Sequence, residues 1–419
     1  MEFVSILCVV LLIILIAYNI LKGVLGSDKS YIWSPMTTIS LTYLYYCIWP
    51  FFFSVDKFAV NETLYRGYLF HFAALLSYVF IMIGFKSGPT FNMRRWNKLF
   101  TISNTDYFAI VICIVALLGY VPFRGLHLTF AASEEESQTQ LMTGGIIYYL
   151  IFLIDIFASS VTLLLVNRSK FKIWKLLPCW VILSTLLFAG ARWRIIVTII
   201  SSLTMFYLYP IRRKPNYLLI VGMMVILFFG FSIMDQSRQH GRGIDMDKAQ
   251  ELQFNDIKSG AGENYSVYMF SMLSMDCIQR TSMRCYFEPI LSAALMPIPR
   301  AIFPAKPNAE YVHDLERMTL GDDTGGAAFL NFVEGYLSFG WFGVIIYGLL
   351  LGLMSKGVWG NYQNNKDSIG AILLLGLYSG VCYCLISRGY LPGAYNNIIY
   401  VVCLPFWISA IFQKLRTKV

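Results

Sequence analysis

Charge is scarce in this chain: Asp, Glu, Lys and Arg make up 14% of 419 residues, where soluble proteins carry roughly a quarter. That deficit excludes an ordinary soluble globule, and no nucleic-acid partner is expected. Histidine is rarer still. His71, His127, His240 and His313 fall at no metal-ligand spacing, so no zinc site is expected. A glycine-rich phosphate loop is missing, and no cofactor is assigned. Missing too are the basic start and small-residue cleavage site of a removable leader, so the first apolar run is expected to persist as a helix. Of nine Cys, seven fall in apolar runs, where they serve as small apolar residues. Cys277 and Cys285 lie in a polar stretch. If that stretch is helical, a rise of about 1.5 Å per residue separates them by about 12 Å, too far for a disulfide, and free thiols are expected.

Apolar length is what the chain has in abundance. Hydrophobic residues make up 57% and mean hydropathy is +0.60. Apolar runs fall at about 3–21, 32–54, 67–85, 106–123, 145–166, 174–190, 193–209, 216–235, 327–354, 368–386 and 394–413, most of them near the roughly 20 helical residues that a bilayer core requires. The expectation is an all-α, polytopic integral membrane protein of about eleven transmembrane helices. It forms one domain over 1–419 with a single large outer loop, 236–325, that contains short helices. Runs 174–190 and 193–209 are short, which makes their hairpin tip a candidate for lying below the membrane surface.

Basic residues in short loops favour the cytoplasm. Eighteen Lys and Arg fall on one side of these runs and six in the short loops opposite. The amino terminus and the large loop are therefore expected outside and the carboxyl terminus inside. With that loop counted, the outer side carries eleven Arg and four Lys, the inner side six Arg and twelve Lys. Arg grips phosphate oxygens bidentately, whereas Lys acts as a hydrated point charge. The outer arginines are thus candidate anion ligands. The alternative is pairing with neighbouring acids, of which the large loop holds twelve against nine bases.

Within the loop, Pro297-Ile-Pro-Arg300-Ala-Ile-Phe-Pro304-Ala-Lys306-Pro307 sets four prolines in eleven positions, a stiff segment that holds Arg300 and Lys306 still. In extended polyproline geometry those two cations stand about 19 Å apart, so a turn at Arg300–Phe303 is needed for both to reach one diphosphate. Between 264 and 296, Tyr265, Tyr268, Met269, Met272, Leu273 and Met275 recur near helical spacing, and interfacial helices flanking the prolines are expected. Arg280 and Arg284, four apart, share a face if helical, either as substrate ligands or as a solvated pair. Gly321-Asp-Asp-Thr-Gly-Gly326 reads as a tight turn or lid. The adjacent Asp322 and Asp323 are too weak a signal for a metal, and none is assigned.

Arg192 and Arg194, in Gly190-Ala-Arg-Trp-Arg194, sit in a turn at partial membrane depth. Cations there are functional candidates unless they snorkel outward, and Trp193 reads as an interfacial anchor. Glu334 reads as a turn or two inside the ninth run, either as a structural partner of Arg or as a proton acceptor with a shifted pKa. Arg388, at the end of the tenth run, completes a candidate ring of charge.

Pro299-Arg-Ala-Ile-Phe-Pro-Ala-Lys-Pro307, followed after the glycine-rich turn by Val333-Glu-Gly-Tyr-Leu-Ser-Phe-Gly340, resembles the Wzy-type O-antigen polymerase family of bacterial inner membranes. The number of runs, the long outer loop and the Gly-Ala-Arg turn are similar too, though the likeness concentrates in about 40 residues, 297–340. The resemblance implies polymerisation of undecaprenyl-diphosphate-linked O-antigen repeat units at the periplasmic face of the inner membrane. In that reaction the growing glycan passes from its lipid diphosphate to a hydroxyl of a new lipid-linked unit. Arg300, Glu334 and the weaker match Arg192 are the implied catalytic residues. Pro304 matches the motif, and Arg194, Lys306, Arg388, Arg280 and Arg284 are assigned to substrate. The implied partners are the lipid-linked oligosaccharide as donor and acceptor, the bilayer, and a candidate chain-length regulator and flippase. Glu334 is followed here by Gly335 where the family pattern has a bulkier residue. Breaking the bond from anomeric carbon to diphosphate develops negative charge on the leaving oxygens, which preorganised Arg and Lys donors stabilise. The alternatives are an O-antigen ligase, which needs the same outer cations, and a flippase, for which repeated halves are expected.

Overall fold

The computed structural model describes residues 2–53, 67–127, 152–170, 192–213, 215–218, 220–222, 263–296, 298, 303, 310–321 and 328–416. Among them the regular structure is helical and no strand occurs. The principal helices, in chain order, are α1 (Glu2–Leu25), α2 (Pro35–Tyr43), α3 (Tyr68–Ser87), α4 (Thr105–His127), α5 (Phe157–Leu164), α6 (Arg192–Leu208), α7 (Glu263–Thr281), α8 (Glu288–Leu295), α9 (Glu310–Leu320), α10 (Asn331–Phe339), α11 (Trp341–Asn364), α12 (Ile369–Ser387) and α13 (Leu404–Arg416). Among the described residues five helices are long and apolar enough to cross a membrane: α1, α3, α11, α12 and the helix Leu391–Arg416 that ends as α13. Shorter apolar helices cover Thr105–Tyr120, Phe152–Asn167 and Trp193–Leu208. The chain is a helical, multi-pass membrane protein. The run 174–190 and nearly all of 216–262 lie outside the described residues.

The fold divides into two compact units. One comprises Met1–Phe91, Lys258–Gly360 and Cys382–Asn396; the other comprises Asn92–Ile257, Asn361–Val381 and Asn397–Val419.

In the first unit α11 lies against α3 through glycine. A Cβ at Gly348 would stand 2.6 Å from the Ser77 carbonyl oxygen, and one at Gly352 would stand 2.2 Å from that of Ile81. Only hydrogen fits there, and backbones approach this closely in membranes through small residues four apart. Polar side chains then link the helices where no water competes. Asn19 Nδ2 on α1 donates to Tyr78 Oη on α3 at 3.1 Å, and Tyr43 Oη on α2 donates to Ser77 Oγ at 3.0 Å. His71 bridges Ser5 Oγ through Nδ1 and Tyr268 Oη through Nε2. Ser34 caps α2, accepting from the Thr37 N–H at 3.3 Å, with Pro35 opening the helix.

Helix α7 corrects the interfacial reading for its own part of 264–296, up to Thr281. Val267, Tyr268, Met269, Phe270, Met272, Met275 and Ile278 are all buried. Tyr268 finds His71 for its hydroxyl, so the amphipathic residues are satisfied inside the fold. The ninth apolar run is corrected too. The chain breaks at Gly340, whose φ of 62° is a left-handed geometry that side chains with a Cβ disfavour. Glu334 therefore lies on the separate short helix α10, ahead of the spanning α11.

In the second unit, Gly376 and Gly380 of α12 repeat the close approach, now against α6. A Cβ at these positions would stand 2.9 Å from Ser201 Cα and 2.8 Å from Val197 Cα. Ser160 Oγ on α5 donates to the Ala109 carbonyl at 2.7 Å, and Thr162 Oγ1 donates to Ser201 Oγ at 2.9 Å. Asn97 and Asn361 exchange amide hydrogen bonds of 2.9 and 3.1 Å.

Candidate functional site

Glu334 is the titratable group around which the first unit closes. Helix α10 is short because Gly340 ends it, and it folds back tightly on α11: a Cβ at Gly335 would lie 2.9 Å from the Gly343 carbonyl oxygen. That contact explains why glycine follows Glu334, since a bulkier residue there would push α10 away from α11. Ahead of the helix, the Gly389 N–H donates to the Phe329 carbonyl at 2.6 Å. A Cβ on Gly389 would stand 2.5 Å from the Leu330 oxygen. The loop after α12 is thereby drawn onto the start of α10.

The carboxylate is 1% exposed. Tyr311 Oη, from the first turn of α9, donates to Oε1 at 2.6 Å. The Leu391 N–H donates to Oε1 at 3.1 Å and to Oε2 at 3.0 Å. Burial pushes the carboxyl up to about 8, against the opposing pull of those two donors. Nearby, the Cys285 N–H donates to the Leu337 carbonyl at 3.1 Å, and Cys285 Sγ lies 3.7 Å from Ser338 Oγ. Burial pushes that thiol up to about 12, with the Glu334 charge adding to the rise and Ser338 opposing it. Asn331 Oδ1, one turn before Glu334, and Ser387 Oγ are buried with no hydrogen-bond partner among the described residues. Such atoms seek a polar neighbour.

Two assigned arginines belong to this unit's site region. Arg388 sits in the loop whose Leu391 N–H grips the carboxylate. Arg284 lies over the Tyr336 ring, 5.0 Å from its centroid, and its Nη1 donates to the Met283 carbonyl at 2.7 Å. The helical pairing of Arg280 with Arg284 is corrected: α7 ends at Thr281 and Ser282 takes φ 55°, so the two do not share a helical face. The helical spacing of Cys277 and Cys285 ends at the same place, and both thiols are free. Arg280 pairs with Asp276, one turn earlier on α7, at 2.7 Å.

Arg192 and Arg194 belong to the second unit and to the first turn of α6, where a turn was expected. Arg194 Nε donates to the buried Asp155, and its guanidinium lies 4.5 Å from the Trp193 ring centroid. Trp193, Asp155 and Arg194 share a cavity of about 10 Å³ with Val197, Thr198 and Val401, roughly the room of one water. Of Arg192 only the backbone is described. Arg300, Pro304, Lys306, Asp322 and Asp323 lie outside the described residues.

Sequence reasoning missed Tyr311, the Leu391 N–H, the place of Cys285 (read only as a free thiol) and Asp155. The first three reach Glu334 or its helix only through the fold, and no spacing signals them. Asp155 carried a readable signal, as the one acid in a long apolar run. No family model, no curated protein and no solved structure matches this chain.

Proposed function

We propose that this chain polymerises undecaprenyl-diphosphate-linked oligosaccharide repeat units at the outer face of a bacterial inner membrane, with its amino terminus periplasmic and its carboxyl terminus cytoplasmic. One observation carries the reading. The carboxylate of the Val333-Glu-Gly-Tyr motif is buried, is held by Tyr311 and Leu391, and shares its unit with Arg284 and Arg388. A carboxyl poised near neutral pH suits a general base. In the proposed step an acceptor hydroxyl oxygen bonds to the anomeric carbon of the growing chain as its bond to the diphosphate oxygen breaks. Glu334 takes the hydroxyl proton, and the departing diphosphate keeps the electron pair. Arg300, Lys306, Arg284 and Arg388 are the cations proposed to receive that charge. Asn331 Oδ1 and Ser387 Oγ have spare hydrogen-bonding capacity suited to sugar hydroxyls.

The test is reconstitution of the purified protein in phospholipid vesicles with undecaprenyl-diphosphate-linked repeat units as the sole substrate. Polymer together with released undecaprenyl diphosphate is the expected result; recovery of unchanged substrate sinks the proposal. In cells, loss of the protein is expected to leave lipopolysaccharide bearing a single repeat unit. A complete lack of O-antigen indicates a ligase or flippase instead, and inner-leaflet accumulation of the lipid-linked unit indicates the flippase.

A further inference from the structure

Helix α8 turns an apolar face away from the protein. Tyr286, Phe287, Ile290 and Leu291 are 59%, 62%, 44% and 54% exposed, while Pro289, Ser292 and Ala293 on the other side are buried. The turn before α8 is set by Tyr286, which takes φ 47°, a left-handed conformation uncommon for a bulky residue. Its aromatic ring nevertheless stays in the open.

The patch joins a membrane span. Phe287 and Tyr286 contact Phe339 at ring-centroid distances of 5.1 and 6.4 Å. Two residues beyond the Gly340 break comes Phe342, 66% exposed in the first turn of α11. The same end of the spans carries an aromatic cluster. Trp341, the first residue of α11, meets Phe72 in the first turns of α3 at 5.0 Å and Tyr336 at 4.8 Å. Tryptophan and tyrosine concentrate at the level where membrane meets water, so this cluster marks that level and α8 lies beside it.

We propose that helix α8, with the Tyr286–Phe287 turn before it, lies in the plane of the lipid surface at this boundary, with its apolar face among the upper acyl chains. An interfacial helix buries its apolar face about 5–10 Å deep. The area of the patch argues against a second copy of the chain. Four side chains plus Phe342 expose on the order of 500 Å², given typical side-chain areas, whereas a stable protein interface takes about 800 Å² per partner. The seating is independent of which substrate the protein handles.

The experiment places an environment-sensitive fluorescent amino acid at Phe287, and separately at Leu291, by codon reassignment. The full-length protein is reconstituted in phosphatidylethanolamine–phosphatidylglycerol vesicles. Lipids brominated high in the acyl chain are expected to quench both probes at least threefold more than lipids brominated near the chain ends, and aqueous iodide to quench them weakly. Strong iodide quenching with no lipid quenching at both positions overturns the proposal. So does protection from iodide that vanishes as the protein is diluted in lipid, which would assign the face to a second copy.

Discussion

Replacing Glu334 with Gln tests the carboxyl's environment and its chemistry in one variant. Gln keeps an acceptor for Tyr311 and Leu391 but cannot ionise. Burial lifts the native carboxyl from 4.5 to about 8, so at about 1.4 kcal/mol per unit the ionised form costs the fold about 5 kcal/mol. Because the folded pKa lies above the unfolded one, the native state binds the proton more tightly. Stability is then highest below about pH 4.5, falls as pH rises towards 8, and is flat beyond. Thermal unfolding of vesicle- or detergent-held protein at pH 5 and pH 8.5 measures this. The native chain is expected to lose about 4 °C more than E334Q between the two, at about 1 °C per kcal/mol for a chain of this length. Activity has the opposite slope. If ionised Glu334 is the base, polymerisation climbs up to tenfold per pH unit below about 8 and then levels, and E334Q is inactive. Identical pH dependence of stability in both proteins would refute the buried-carboxyl argument; retained polymerisation by E334Q would make the group structural.

Three other perturbations separate the parts of the fold. Gly352→Leu forces a side chain where a Cβ alone would lie 2.2 Å from the Ile81 oxygen. The expected result is loss of monodisperse protein on size-exclusion chromatography, while Gly222→Ala, with nothing within 4 Å, behaves as the native chain. Asp155→Asn removes the buried charge that Arg194 Nε faces and is expected to lower the melting temperature; exchanging the two residues should restore part of it, and no recovery would mean that the pairing is incidental. Arg300→Ala is expected to abolish long glycan chains at unchanged protein abundance, read from lipopolysaccharide ladders beside an immunoblot, and normal ladders would remove its diphosphate role.

The membrane class was legible because apolar length is a property of local composition: a run of about 20 apolar residues can satisfy its backbone in lipid only as a helix. Gly348-Leu-Leu-Leu-Gly352 and Gly376-Leu-Tyr-Ser-Gly380 were equally open to reading, since spacing by four puts both glycines on one helix face. Glu334 stood out by its charge in an apolar setting. The break at Gly340 did not, because hydropathy averages over a window and is blind to one residue's φ. Nor did the end of α7 at Thr281, which parts Arg280 from Arg284 although their spacing suits a helix.

Residue order alone therefore determined a helical chain for the bilayer and a carboxylate of interest. Only the tertiary structure decided that Tyr311, 23 positions away, and the Leu391 N–H, 57 positions away, would close over that carboxylate, and that Arg194 would face Asp155. Desolvation and hydrogen bonding act through distance in space, and distance along the chain carries no record of them.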